Sequence, residues 1–266
     1  MSLHPTAQIA ATARVHPDAQ IGKGVIVGEY AVIEQDVTIG AQTRIEPYVY
    51  IKRWTLLGER NEISAGTVLG SDPLDKHFTG ERSYLVIGNG NKIREHYTIS
   101  RGTAPESSTI NGDGNYIMTS GHIAHNAKIG NNTVIASCAL ISGYVEVEDQ
   151  AFISGSLGVQ QYCRIGRLAM VGGGTRVNVD VPPYFLYAGL YVTPMGLNLV
   201  GLKRAGIRGD DVKALKTAYR LLYRSGMHLG EALDRIDAEV PTDHTRHLTG
   251  FIRANIRSGK RGIARA

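Results

Sequence analysis

Residues 120–130, SGHIAHNAKIG, hold two histidines three apart, His122 and His125, with Asn126 directly after the second. A neutral imidazole can take a proton from a hydroxyl, ligate a metal, or sit hydrated in a turn. For an isolated pair, hydrated turn residues are the default. A metal needs at least a third ligand; the candidates are His77 and His96, and neither makes a metal-type spacing with the pair. Within one chain metal ligation is the weakest reading, although a second copy could supply a ligand. A general base would also need a backbone N–H placed to hold an oxyanion. The backbone that carries the pair therefore decides among the three.

That backbone has a six-residue beat. Counting from Leu3 in sixes meets only aliphatic residues as far as Leu69, then again at Ile87, Ile93 and Ile99, and from Ile117 to Val177, which is 26 positions in one phase. Neither a helical period nor simple strand alternation produces a period of six. Two residues before many of these stands a small or β-branched residue, such as Ala7, Ala13, Ala19 and Val25, and glycine often follows, as at Gly22, Gly40 and Gly58. The pattern predicts a short strand every six residues, its aliphatic pointing inward, with glycine easing the corner. Three strands make a coil of about 18 residues, and coils stacked about 4.8 Å apart form a parallel β-helix of hexapeptide repeats. The beat skips at residues 70–86 and 100–116, predicted to bulge out as loops, where a rigid solenoid can carry function.

The coil length fixes the stacking. His125 falls beneath Gly143 in the next coil and, lying two residues past the inward Ile123, should project near a corner. Gly155 and Gly173 also stack, either as plain corner glycines or as a shallow groove that would admit a slender chain.

After Val177 the beat stops at DVPPYF, where Pro182 and Pro183 are expected to end the ladder. The predicted organisation is a β-helical domain over 1–190 and an α-helical cap over 191–266. In the cap, DDVKALKTAYRLLYRSG places Val212, Leu215, Tyr219 and Leu222 on one helix face, with Asp210 as N-cap and Gly226 as stop, and further helices over 229–239 and 242–258. Residues 196–266 carry 14 Lys+Arg against 7 Asp+Glu, so the basic surplus sits at this end and suits an acidic partner. No apolar run approaches the roughly 18 residues of a membrane span, which points to a cytoplasmic protein without stable membrane insertion. Cys138 and Cys163 have no metal-type spacing and read as reduced thiols.

The hexapeptide beat, HIAHNAKIGN at 122–131, VGGG at 171–174, DVPPY at 180–184, GLNLVGLKRAG at 196–206 and AYRLLYRSG at 218–226 together resemble the UDP-N-acetylglucosamine O-acyltransferases of lipid A biosynthesis over nearly the whole chain. The beat is shared by many acyltransferases; the LKRAG and AYRLLYRSG segments are far more specific. The resemblance implies a left-handed β-helix with a C-terminal helical domain, a homotrimer with active sites between prisms, and no cofactor, metal or nucleic acid. A 3-hydroxyacyl chain would pass from acyl carrier protein to the sugar 3-hydroxyl of the UDP-sugar. It implies His125 as general base, Asn126 as its orienting neighbour and the Gly143 N–H as oxyanion donor. His122, Asp75, Lys76, His77, Tyr144, Gln160, Gln161, Asn198 and Arg204 would bind substrate, and Gly155 and Gly173 would line the acyl groove. The basic cap would meet the acidic carrier.

The chain differs from the family pattern at several places. Asn126 replaces an acid, His77 stands at the substrate-binding lysine with Lys76 beside it, and Ser100, Tyr144 and Gln160 replace histidines. Val200 replaces an acid near the nucleotide. Three other readings stay open: a paralogue acylating another sugar nucleotide, such as an amino sugar; a hexapeptide-fold carbonic anhydrase, disfavoured by its missing ligand histidines; and a non-catalytic trimer.

Overall fold

A computed structural model describes residues 2–258 and 262–265; residues 1, 259–261 and 266, among them Lys260 and Arg261 of the basic surplus, lie outside the described residues. Short strands recur every six residues and collect into three sheets of 9, 11 and 9 strands. The chain runs from the first face to the second, to the third and back, forming a left-handed parallel β-helix of triangular section with a C-terminal helical domain. The stacking follows the predicted register, with Leu140 beside His122 and Ile141 beside Ile123. Inward aliphatics from Ile21 to Val177 are buried in one continuous core. Each contributes roughly 1.5–3 kcal/mol by leaving water, so the prism is held by repetition of one small contact.

The corners work differently from the expectation. From Val27 onward a left-handed residue stands three positions before nearly every inward aliphatic and is mostly not glycine: Tyr30, Asp36, Gln42 and Tyr48 have φ of 58°, 56°, 58° and 61°. The glycine after the aliphatic serves close approach instead. A Cβ on Gly40 would lie 2.5 Å from the Gly58 carbonyl carbon of the next coil.

Paired residues lie 18 apart in most coils, as Tyr116 with Val134, but 30 apart from Glu62 to Lys92 and 24 apart from Lys92 to Tyr116. Two coils thus carry about 12 and 6 extra residues, at 72–83 and 101–107, which is narrower than the expected loops at 70–86 and 100–116. Tyr84–Ile87 and Ser108–Asn111 are ladder strands. The second was hidden because Asn111 occupies the inward position; it is buried, and its Nδ2 donates to Asn91 Oδ1 at 3.1 Å. Both excursions leave from the same edge, between the third and first faces.

Pro182 and Pro183 do not end the ladder. They lie at a corner, where Pro183 backs onto Gly166, so no ladder N–H is lost. Phe185–Ala188 then pairs in parallel with Met170 and Val171 and antiparallel with Thr193–Leu197. Four helices follow: α1 (Leu199–Arg204), α2 (Asp210–Tyr223), α3 (Leu229–Glu239) and α4 (Asp243–Ser258). Gly209, not Asp210, is the N-cap of α2; Asp210 is its first residue and pairs with Lys213 at 2.9 Å. Ala214, Leu215, Ala218 and Leu221 form the buried stripe of α2. Helix α4 ties the cap to the prism: His247 lies 3.1 Å from Glu148 and bonds the Tyr184 hydroxyl at 2.8 Å.

Candidate active site

His125 and Asn126 form the corner between the third and first faces, with Gly143 and Tyr144 directly above. Asn126 is the left-handed corner residue, φ 58°, a conformation that a short amide side chain tolerates. The His125 ring lies flat over Gly143, where a Cβ would stand 2.5 Å from Cε1 and 2.7 Å from Nε2. Only glycine lets the ring occupy that place. At equivalent corners the N–H is bonded by a side chain from another coil, as Arg53 N–H to Glu34 and Arg167 N–H to Glu148. Among the described residues the Gly143 N–H has no such partner.

The amide of Asn126 is oriented by its neighbours. Its Oδ1 accepts from the Thr103 backbone N–H at 3.0 Å and from the Thr103 hydroxyl at 2.9 Å, while its Nδ2 donates to Ser107 Oγ at 3.0 Å. His125 Nδ1, 3.2 Å from the same Oδ1, must therefore carry its proton there. Nε2 of the neutral ring is left as the proton acceptor. Tyr144 meets the His125 ring edge-on, bonds Thr103 Oγ1 at 3.1 Å and stacks on Tyr162 one coil higher.

Thr103 and Ser107 were not among the sequence-predicted residues. They lie on the 101–107 excursion, and only the knowledge that it leaves from the His125 edge could have nominated them. Arg101, at its root, was missed too. It is fully buried, lies over the Trp54 and Phe78 rings at 5.1 and 5.2 Å, and pairs with Asp72 at the root of the 72–83 excursion. Ser100 is buried beside Ser71, with the two hydroxyls 3.1 Å apart.

His122 points outward on the third face, its Nδ1 2.7 Å from Thr98 Oγ1 and its Nε2 buried without a partner among the described residues. Burial, which outweighs the opposing hydrogen bond to Thr98, holds its pKa below the usual imidazole value, so it is neutral around pH 7. Asp75 closes a local turn by accepting from the His77 N–H at 2.9 Å, and Lys76 and His77 are exposed on the 72–83 excursion. Gln160 and Gln161 stand at the His125 edge, two coils higher.

The other predicted residues lie elsewhere. Gly155 and Gly173 stack with Ser137 along the edge between the second and third faces; a Cβ on Gly173 would be 3.2 Å from the Gly155 carbonyl oxygen. Asn198 is the buried N-cap of α1, with Oδ1 accepting from Gly201 N–H at 3.0 Å and Nδ2 donating to the Leu168 carbonyl at 2.8 Å, so its amide is used structurally. Arg204, in the last turn of α1, is exposed, as is Val200. No three His, Cys, Asp or Glu side chains among the described residues are placed to hold a metal. A cavity of about 860 Å³ lies lower on the third face, lined in part by Arg14, Glu34, Tyr50, Lys52 and Asp72. It shares no residue with the His125 corner, and the histidine chemistry singles out the corner.

A capped left-handed hexapeptide prism with a buried histidine set against glycine at one edge has the architecture of a hexapeptide-repeat acyltransferase. The model of domain 2 of the UDP-N-acetylglucosamine O-acyltransferase family matches residues 180–264. The acyl-[acyl-carrier-protein]–UDP-N-acetylglucosamine O-acyltransferase of Verminephrobacter eiseniae is 42% identical over 99% of both chains. The crystal structure of LpxA, a UDP-N-acetylglucosamine acyltransferase from Bacteroides fragilis, aligns with a TM-score of 0.92 at 35% identity over 97% of this chain and 100% of that one. The Arabidopsis UDP-N-acetylglucosamine acyltransferase gives 0.86 at 34% over 96% and 99%. The chain belongs to the UDP-N-acetylglucosamine O-acyltransferase family.

Proposed function

We propose that the protein transfers a 3-hydroxyacyl group from acyl carrier protein to the 3-hydroxyl of UDP-N-acetylglucosamine, the first step of lipid A biosynthesis. The observation that carries the reading is the His125 ring lying over Gly143, with Nε2 free of its proton and an unbonded backbone N–H beside it. His125 Nε2 takes the proton as the sugar oxygen attacks the thioester carbonyl carbon. The Gly143 N–H holds the oxyanion that forms. As the oxyanion collapses, the carbon–sulfur bond breaks and the imidazolium returns its proton to the departing carrier thiolate.

Gly155 and Gly173 lie on a different edge from His125, so one prism does not bring base and acyl groove together. A homotrimer would set the glycine edge of one subunit beside the His125 edge of the next. His122, Tyr144, Gln160 and Gln161 would then face the cleft with the 72–83 excursion carrying Asp75, Lys76 and His77. Arg204 would contact the nucleotide, and the basic cap would receive the acidic carrier. Asn198 would support nucleotide binding by fixing the start of α1. No helix among the described residues is long and apolar enough to cross a membrane, consistent with a cytoplasmic enzyme drawing on soluble substrates. The test is mass spectrometry of products from 3-hydroxyacyl carrier proteins of mixed length and UDP-N-acetylglucosamine, with His125→Ala as control. Acylated nucleotide sugar, lost in the control, is expected; transfer only to an amino-sugar nucleotide would replace the acceptor, and no transfer to either would refute the reading.

A further inference from the structure

His125 is followed by a neutral amide, which holds a proton on Nδ1 only while its oxygen faces the ring. A flipped amide would present Nδ2 to Nδ1, favour the other tautomer, and leave Nε2 protonated and useless as a base. The 101–107 excursion closes both ends of this amide. At the oxygen end, two donors of Thr103 converge with His125 Nδ1 on Asn126 Oδ1; at the nitrogen end, Ser107 Oγ accepts from Nδ2, and its own proton goes to the Ala104 carbonyl at 2.8 Å. With the Thr103 hydroxyl proton used on Oδ1, the 3.1 Å contact to Tyr144 must be donated by the phenol. The bonds then converge on Asn126 Oδ1, from the Tyr144 O–H through the Thr103 hydroxyl on one side and from the His125 Nδ1–H on the other. They span the coil of the base and the coil whose Gly143 N–H faces it.

We propose that Thr103 and Ser107 are positioning residues that lock the Asn126 amide and thereby the His125 tautomer, and that Tyr144 extends the lock to the neighbouring coil. The proposal rests on His125 being the base of the acyl transfer. Three donors share the lone pairs of one carbonyl oxygen, so they do not strengthen one another, but together they fix which end of the amide faces the ring; the excursion thus supplies the orientation that a carboxylate at position 126, with two equivalent oxygens, would not need.

The test uses the full chain with 15N-histidine, its ring nitrogens read by magic-angle-spinning NMR and the His125 signal assigned by its loss in His125→Gln. Thr103→Val combined with Ser107→Ala should convert a single Nδ1–H form into a mixture of tautomers and lower kcat about 10- to 100-fold, with KM changed less than about threefold. Thr103→Ser alone should keep the single form and most of the rate. Thermal melting checks that the double variant is folded; if it is not, Thr103→Val alone is read by the same two measures, with a smaller expected fall. A folded variant in which either the tautomer or kcat stays unchanged overturns the proposal. If the unaltered protein transfers no acyl group, the functional reading fails, and the lock is decided on the tautomer alone.

Discussion

The ring of His125 rests on the Cα of Gly143, at a separation that leaves no room for a methyl group between them. Gly143→Ala must therefore push the ring aside, although the backbone there has an ordinary conformation. A loss of about 100-fold in kcat is expected from a displacement of the order of an ångström, with about 1–3 kcal/mol of overpacking in thermal or urea melts. An alanine variant with undiminished single-turnover rate would show that the ring and the N–H do not act together.

Asn126→Asp would place a carboxylate against His125 Nδ1. A negative charge at that distance favours the imidazolium and raises the pKa of the ring. The proposed base must be neutral to act, so the acid limb of the kcat/KM profile should move to higher pH relative to the unaltered protein. A limb that stays in place would remove His125 as the group titrating there.

Among the groups with depressed pKa values, His122 and Glu148 are the partly buried ones that bear on the acid sensitivity of the fold. Burial holds the His122 imidazole below the unfolded value of about 6.5, so the unfolded chain binds the extra proton and stability falls as pH drops below that value. Burial tends to raise the Glu148 carboxyl, but His247 and the Arg167 N–H outweigh it and hold it low. Its contribution is present above the unfolded carboxylate value of about 4.3 and is lost as pH falls through the depressed one. Urea midpoints measured from pH 7 downward should decline in two stages, with His122→Asn flattening the upper and Glu148→Gln the lower.

Arg101 is wholly buried while its partner Asp72 is half in water. Removing only the carboxylate leaves a buried guanidinium without its counter-charge, so Asp72→Asn should cost about 1–3 kcal/mol. Arg101→Met in the Asp72→Asn background should restore part of that loss, since the long apolar chain still packs on Trp54 and Phe78. Equal melts for the single and double variants would mean that the arginine is held by its ring contacts alone.

Gly173→Met would fill the edge proposed to hold the acyl chain, beside the Gly155 carbonyl. In mixed-donor competition the preferred acyl chain should shorten, with about 10- to 200-fold discrimination for each methylene excluded. Unchanged product lengths would move the acyl groove off this edge.

The six-residue beat made the prism legible because its inward positions are chemically monotonous: Ile21, Ile33, Ile63 and Ile141 do the same thing in different coils. It also located His125 beneath Gly143, since a fixed repeat converts sequence number into height. It failed where one inward position is polar. Asn111 belongs to the ladder through an amide bond to Asn91, which no hydrophobic pattern registers. The corner chemistry was misassigned because left-handed corners here use tyrosine, aspartate and glutamine as readily as glycine. Thr103 and Ser107 were illegible for a further reason: their contact with Asn126 depends on how a loop folds back, and loop geometry has no period.

The two excursions leave the ladder and rejoin it in register at the same edge, while the other coils keep an 18-residue length until the final one, which shortens to 16. Each therefore behaves as a cassette. Grafting a 101–107 segment from one relative into another would change what contacts the His125 corner without repacking a single core isoleucine, provided that Arg101 and its Asp72 and Phe78 partners travel with it.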